Sequence, residues 1–463
     1  MAETVGVLGL ARSGRAAALL ALAAGESVFA SDAGSGAEVQ DAAAVVRQSG
    51  GEAETGGHTV ERLAACDLLV LSPGIPPDAA VLRDPRLARV PRISELEFAF
   101  RHLRTPVVAI TGTNGKSTVT AMTAHLLKEG GLNAVAAGNI GLALSEVALR
   151  HTPPDWAVVE CSSFQLAEID TFAPQIGVVT NLAPDHLDRY AALESYYADK
   201  ARLFANASET SRWVLNGDDA RVLALPGNAP GQRFLFRVAG PLAPGQSGGF
   251  IQDGMLTLRL GDDDLSLVDV HELRILGAHN VANALAASLA AALAGAGAEA
   301  LRSGLRDFGG LEHRLEVLGE HDGVLWINDS KATNVASTLV ALQGMTRPTV
   351  LLLGGRHKGE PYTMLLPALR DRVRAVVAYG EAAAQVQADL GGHVPVTRVD
   401  GDFATVVARA AALARPGDVL LLSPACSSYD MFSDFEERGR QFRELMPRAG
   451  DEPAPGGEVP RGA

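Results

Sequence analysis

Short apolar runs alternate along this chain with longer Ala/Leu-rich stretches, the pattern of strands followed by crossover helices in a parallel sheet. The alternation falls into three blocks. The first runs from "TVGVLGL" to about Arg92 and includes "DLLVLSPGI"; the second begins near Ile93 and carries "PVVAI", "WAVVE" and "IGVVTNL". The third, from about residue 309, holds "VLWINDS", "TVLLLGG", "AVVAYG" and "DVLLLSP". The divisions expected are therefore 1–92, 93–308 and 309–448. Within the second block "GFIQDGMLTLRL" alternates with period two and predicts a β-hairpin insertion around residues 240–265. The tail 449–463, "GDEPAPGGEVPRGA" and the residue before it, lacks apolar periodicity and is expected to be disordered.

Composition narrows the class. At 463 residues the chain exceeds what one core organises. Its 47% hydrophobic and 20% charged residues are those of a soluble globular protein. A formal charge of −14 argues against nucleic acid or an acidic membrane as partner, so any phosphorylated ligand needs a local positive island. Cys66, Cys161 and Cys426 are widely spaced and odd in number, which reads as reduced thiols in a cytoplasmic protein. The opening "MAETVGVLGLARSG" lacks a basic leader, and the long apolar tract "VANALAASLAAALAGAGAEAL" fits a buried helix rather than a membrane span.

Chemistry is expected where strands end, because open parallel sheets bind ligands beyond the carboxyl ends of their strands. After "PVVAI" comes "TGTNGKST", followed by a helical stretch. Gly112, Thr113 and Asn114 open this loop, and Gly115, Lys116, Ser117 and Thr118 lead into the helix. The general phosphate-loop spacing would place a glycine at Ile110 instead of Gly112. The strand–loop–helix context still supplies backbone amides, a helix N-terminus, a lysine for the outer phosphates and a hydroxyl for Mg²⁺. Glu160, ending "WAVVE", is a natural Mg²⁺ ligand beside a phosphate loop; taken alone it reads more readily as a solvated glutamate, and His186 as a structural loop histidine. Near the start, Gly9-x-Ala11-x-x-Gly14 is a dinucleotide fingerprint with its middle glycine replaced, and Asp32 stands where a ribose contact belongs. On spacing alone a nicotinamide-dependent dehydrogenase competes for this element.

"TGTNGKST" closely resembles the loop of the Mur ligase superfamily, which couples ATP cleavage to amide-bond formation. "GNIG", "ECSSFQL", "APDHLDRY", "HNVANALAA", "EHRLE", "NDSKATN", "LGGRHKG" and "SPACSSYDMF" follow in the order of its D-glutamate-adding branch, spanning nearly the whole chain. The resemblance implies an α/β fold of three consecutive domains: Rossmann-like N-terminal, P-loop-type central ATPase and Rossmann-like C-terminal. It implies an ATP-dependent ligase joining D-glutamate to UDP-N-acetylmuramoyl-L-alanine through an acyl phosphate, acting as a cytoplasmic monomer. The implied cofactors are ATP and Mg²⁺, as two ions.

Residue by residue, the likeness assigns Arg12, Ser13, Asp32, Gly74 and Asn139 to the UDP-sugar substrate, with His186 serving both substrate and metal. Ser117, Glu160 and His186 fall on metal ligands, joined by Lys200, whose family counterpart is carbamylated. That modification needs the neutral amine, about 0.04% of an ordinary lysine at pH 7, so burial is required. The step from His186 to Lys200 is one residue shorter than the family's. Asn280, Asn283, Arg314 and Asp329 fall on the ATP side, and Lys331 on the catalytic side. Thr333, Lys358, Ser428 and Phe435 fall on the D-glutamate site, where a dianion demands a cation and hydroxyl or amide donors. A folylpolyglutamate synthase shares the core chemistry but normally lacks an N-terminal UDP-binding domain, and an ATP-binding switch would need no amino acid.

Overall fold

The computed structural model describes residues 3–447 except 77–78, 186–189, 191, 262, 276 and 358. His186, Lys358 and the tail 449–463 therefore lie outside the described residues. The chain forms two compact units, Met1–Leu273 with Ala278–Phe308, and Arg274–Gly277 with Gly309–Ala463.

The larger unit carries two sheets among its described residues. The first contains β1 (Thr4–Leu8), β2 (Ser27–Asp32), β3 (Glu52–Thr55), β4 (Leu68–Leu71) and β5 (Arg92–Ser94), ordered β3-β2-β1-β4-β5 and parallel throughout. Because β1 lies at the centre with later strands on both sides, the loop leaving it opens at a topological switch point. The second sheet contains β6 (Val107–Thr111), β7 (Ala134–Gly138), β8 (Trp156–Glu160), β9 (Ile176–Val179), β10 (Arg212–Asn216), β11 (Gln232–Arg237), β12 (Gly248–Gln252), β13 (Met255–Arg259) and β14 (Asp264–Asp269). Its order is β14-β13-β12-β11-β10-β9-β6-β8-β7, so β6 again sits where the winding reverses. Both faces of β6 and β8 are covered, which explains their near-continuous Val/Ala/Ile composition.

The expected hairpin is β12–β13, turning at Asp253 (φ 51°) and Gly254 (φ 80°), the paired positive angles that Asp-Gly adopts in a two-residue turn. It is not a free-standing insertion: β12 pairs parallel with β11, so the hairpin and β14 continue the central sheet.

The smaller unit contains β15 (Glu316–His321), β16 (Val324–Asn328), β17 (Thr349–Gly354), β18 (Val373–Tyr379), β19 (Val396–Arg398) and β20 (Val419–Leu422). These are ordered β15-β16-β20-β17-β18-β19. β15 pairs antiparallel with β16 through an Asp322-Gly323 turn, an edge hairpin absent from the expected block pattern.

Candidate active site

The glycine fingerprint folds as a tight turn beyond β1. Gly9 takes φ 88°, and a Cβ on Gly14 would lie 1.7 Å from the Gly9 carbonyl oxygen, so the helix Arg12–Ala23 packs this close to the turn only with glycine there. The carboxylate of Asp32 holds the turn from the next strand, accepting from Leu10 N at 2.6 Å and Gly34 N at 2.7 Å. Arg12 and Ser13 occupy the first turn of the helix, with Arg12 exposed and Ala11 exposed just before it. Gly74 is exposed, with nothing within 4 Å of a Cβ built on it.

The phosphate loop explains its own irregular spelling. β6 runs on through Ile110 and Thr111, so the loop opens at Gly112 instead of two residues earlier. A Cβ at Gly112 (φ 139°) would lie 2.0 Å from Thr180 Oγ1, and one at Gly115 (φ 82°) 2.3 Å from Asn283 Oδ1. Both positions require glycine for backbone angle and for space. The helix Lys116–Glu129 then begins, with Ser117 and Thr118 buried in its first turn and amides that lack intrahelical partners. Asn283 Nδ2 donates to Asn280 Oδ1 at 2.9 Å, and this pair on the helix Ala278–Leu293 lies against Gly115.

Two lysines meet on one acceptor. The Gly112 carbonyl accepts from Lys116 Nζ at 3.1 Å and Lys200 Nζ at 2.7 Å; Lys116 also donates to Thr113 O at 2.8 Å. Lys200 is 1% exposed. Burial, then repulsion from Lys116, pulls its pKa down to about 7 against the opposing pull of Asp185, Cys161 and Glu160. The neutral amine required of Lys200 is thus present at neutral pH.

Glu160 ends β8, paired in register with Ile110 of β6. Its Oε1 accepts from Asn139 Nδ2 at 2.9 Å, while Oε2 is buried without a hydrogen-bond partner. Among the described residues no group of three or more His, Cys, Asp or Glu forms a metal cage. An unsatisfied carboxylate oxygen one strand from a phosphate loop suits Mg²⁺, which binds through few protein ligands together with substrate phosphates. The donor set fits a metal arriving with nucleotide.

Sequence reasoning passed over Thr180 and Asn181. They follow β9 and bind the loop through Thr180 Oγ1 to Asn114 O (2.6 Å) and an Asn181 amide paired with Asn114. Their place at a strand end within "VVTNL" was the available signal. It also passed over Glu95 and Glu97, two buried carboxylates where the chain leaves the first sheet.

In the smaller unit Asp329 sits just past β16, accepting from Ser423 Oγ at 2.7 Å and Leu315 N at 3.1 Å. Burial raises its pKa to about 7 against those hydrogen bonds and the charge of Arg314. Lys331 Nζ lies 5.7 Å from the Phe435 ring centroid, and Thr333 follows with its N–H on the Lys331 carbonyl at 2.9 Å. Ser428 is buried after β20. Beneath these segments Arg438, fully buried, donates to Ser330 Oγ (2.9 Å), Ser330 O (2.8 Å) and Cys426 O (3.3 Å), tying the loop after β16 to the loop after β20.

Residues 110–291 match the Mur ligase middle domain, and residues 313–426 the Mur ligase glutamate ligase domain. The chain belongs to the Mur ligase family. Within it, the chain is 42% identical to the UDP-N-acetylmuramoylalanine–D-glutamate ligase of Salinibacter ruber, covering 95% of this chain and 96% of that protein. It is 38% identical to the enzyme of the same name from Pelotomaculum thermopropionicum, over 95% and 96%. The fold likeness extends to the UDP-N-acetylmuramate–alanine ligase MurC of Thermotoga maritima, with TM-score 0.57, 20% identity and coverage of 96% and 99%. No helix among the described residues is long and apolar enough to cross a membrane.

Proposed function

We infer that this chain is an ATP-dependent ligase adding D-glutamate to UDP-N-acetylmuramoyl-L-alanine in peptidoglycan precursor synthesis. The observation that carries it is the convergence of Lys116 and buried Lys200 on the Gly112 carbonyl, with Glu160 one strand away holding an unsatisfied oxygen. A nicotinamide enzyme has no use for that constellation.

In this reading the alanyl carboxylate attacks the γ-phosphorus of ATP, ADP departs, and an acyl phosphate forms. The amine of D-glutamate attacks the acyl carbon, phosphate leaves, and the nitrogen loses a proton to give the amide. Gly112 to Thr118 cradle the phosphates, and Lys116 exchanges its loop carbonyls for phosphate oxygens, offsetting charge as the bond breaks. Glu160, Ser117, His186 and carbamylated Lys200 would hold Mg²⁺, which supplies Lewis-acid charge on the phosphates. Asn280, Asn283, Arg314 and Asp329 serve the nucleotide. Arg12, Ser13, Asp32, Gly74, Asn139 and His186 serve the UDP-sugar. Lys331 acts beside the reacting carboxylate, and Thr333, Lys358, Ser428 and Phe435 receive D-glutamate. The protein works as a cytoplasmic monomer.

The deciding experiment measures ADP release with UDP-N-acetylmuramoyl-L-alanine against D-glutamate, L-glutamate, L-lysine and diaminopimelate. Release that depends on D-glutamate is expected; indifference to it, or reduction of a nicotinamide, sinks the reading.

A further inference from the structure

We propose that Asn181 is a positioning residue of the nucleotide loop, gripping both backbone groups of Asn114 so that the loop is shaped before nucleotide arrives. The proposal rests on reading that loop as the ATP site. Asn114 lies between Gly112 and Gly115, whose positive φ angles and missing side chains let the backbone approach an anion. The same glycines leave the segment with more conformational freedom than other residues would, and binding nucleotide to a loop that must first be ordered loses affinity. Some other part of the molecule has to restrict it.

The side chain of Asn181 does so. Its Oδ1 accepts from Asn114 N at 3.0 Å while its Nδ2 donates to Asn114 O at 2.9 Å. A single amide thus engages the N–H and C=O of one residue as a neighbouring strand would, fixing the peptide planes on both sides. Asn114 O also accepts from Thr180 Oγ1 at 2.6 Å, and Thr113 N donates to the Asn181 carbonyl at 2.8 Å. With the Asn114 N–H turned away from the anion side, the orphan amides at the start of the helix Lys116–Glu129 are left to meet the phosphates.

Substitution separates the two kinds of contact. Asn181→Ala deletes the amide grip but keeps the carbonyl that holds Thr113. In the full-length protein, calorimetric affinity for ADP alone is expected to fall about tenfold, with the melting temperature little changed. In the ligase assay the KM for ATP rises by a similar factor, while the KM for D-glutamate stays put. Asn181→Asp keeps the acceptor for Asn114 N but faces a carboxylate oxygen against the Asn114 carbonyl, and is expected to bind ADP more weakly still. Hydrogen exchange on the wild-type protein gives a readout independent of any variant: the Asn114 amide should be protected without nucleotide although the residue is exposed. Rapid exchange there, or equal ADP affinity in wild type and Asn181→Ala, overturns the proposal alone. A wild-type protein that binds no ADP overturns the nucleotide reading and this proposal with it.

Discussion

Lys200 and Asp329 are each buried at a cost that pH reveals. Lys200, lowered to about 7, binds fewer protons folded than unfolded between that pH and the ordinary lysine range. Stability therefore rises with pH through that window. Lys200→Met should flatten the rise, measured by urea unfolding at several pH values. The proposed carbamylation of Lys200 predicts that NMR with carbon-labelled bicarbonate shows one carbamate growing in as pH rises through about 7 and absent from Lys200→Met. Asp329 has the opposite sign. Its pKa, raised to about 7, makes the folded protein hold a proton the unfolded chain has released. The stability it contributes is full below pH 4 and is lost as pH rises through about 7, so Asp329→Asn should remove that decline.

At the scale of elements, the helix Glu95–His102 shows one turn handling two buried carboxyls differently. Glu97 accepts from Asp170 N, Thr171 N and Phe172 N at 2.9–3.0 Å, from Thr171 Oγ1 at 2.7 Å and from Arg101 Nε at 2.8 Å. Burial alone would raise its pKa, but these donors hold it below the usual range. Among the described residues Glu95 accepts only from Ser145 N and Oγ, and burial drives its pKa up. Glu97→Ala should cost about 3 kcal/mol in chemical denaturation because it strands those donors, whereas Glu95→Gln, which keeps an acceptor for Ser145 and removes a charge that burial disfavours, should cost less than about 1 kcal/mol. The glycines give a similar contrast: Gly14→Ala should lose about 3 kcal/mol by driving Cβ into the Gly9 carbonyl, and Gly74→Ala should be tolerated.

Much of this was legible beforehand, for particular reasons. The phosphate loop could be read because a strand, glycines and a helix must be contiguous in sequence to build it, and Asp253-Gly254 because that pair prefers the turn it makes. The insertion of β20 between β16 and β17 could not be read, since apolar periodicity records burial and carries no pairing partner. Nor could β15, whose "EVLGEH" is only partly covered, or the burial of Arg438, which follows from loops distant in sequence closing over its guanidinium.

For the whole molecule, a charge of −14 surrounds sites that must attract polyanions. Long-range repulsion is screened over about 10 Å at 0.1 M salt, whereas the phosphate contact proposed for Lys116 would act at hydrogen-bond distance. Adding salt from roughly 10 to 100 mM should therefore raise kcat/KM for ATP and the UDP-sugar before higher salt lowers it. A monotonic fall would mean that a positive field dominates the approach.

The oxygen shared by Lys116 and Lys200 carries a final implication. Burial disfavours charge on Lys200, the cation of Lys116 on the same peptide dipole disfavours it further, and the more deeply enclosed group releases its proton more easily. Proton occupancy at the heart of the loop is thereby biased by the bare polypeptide, ahead of any encounter with substrate.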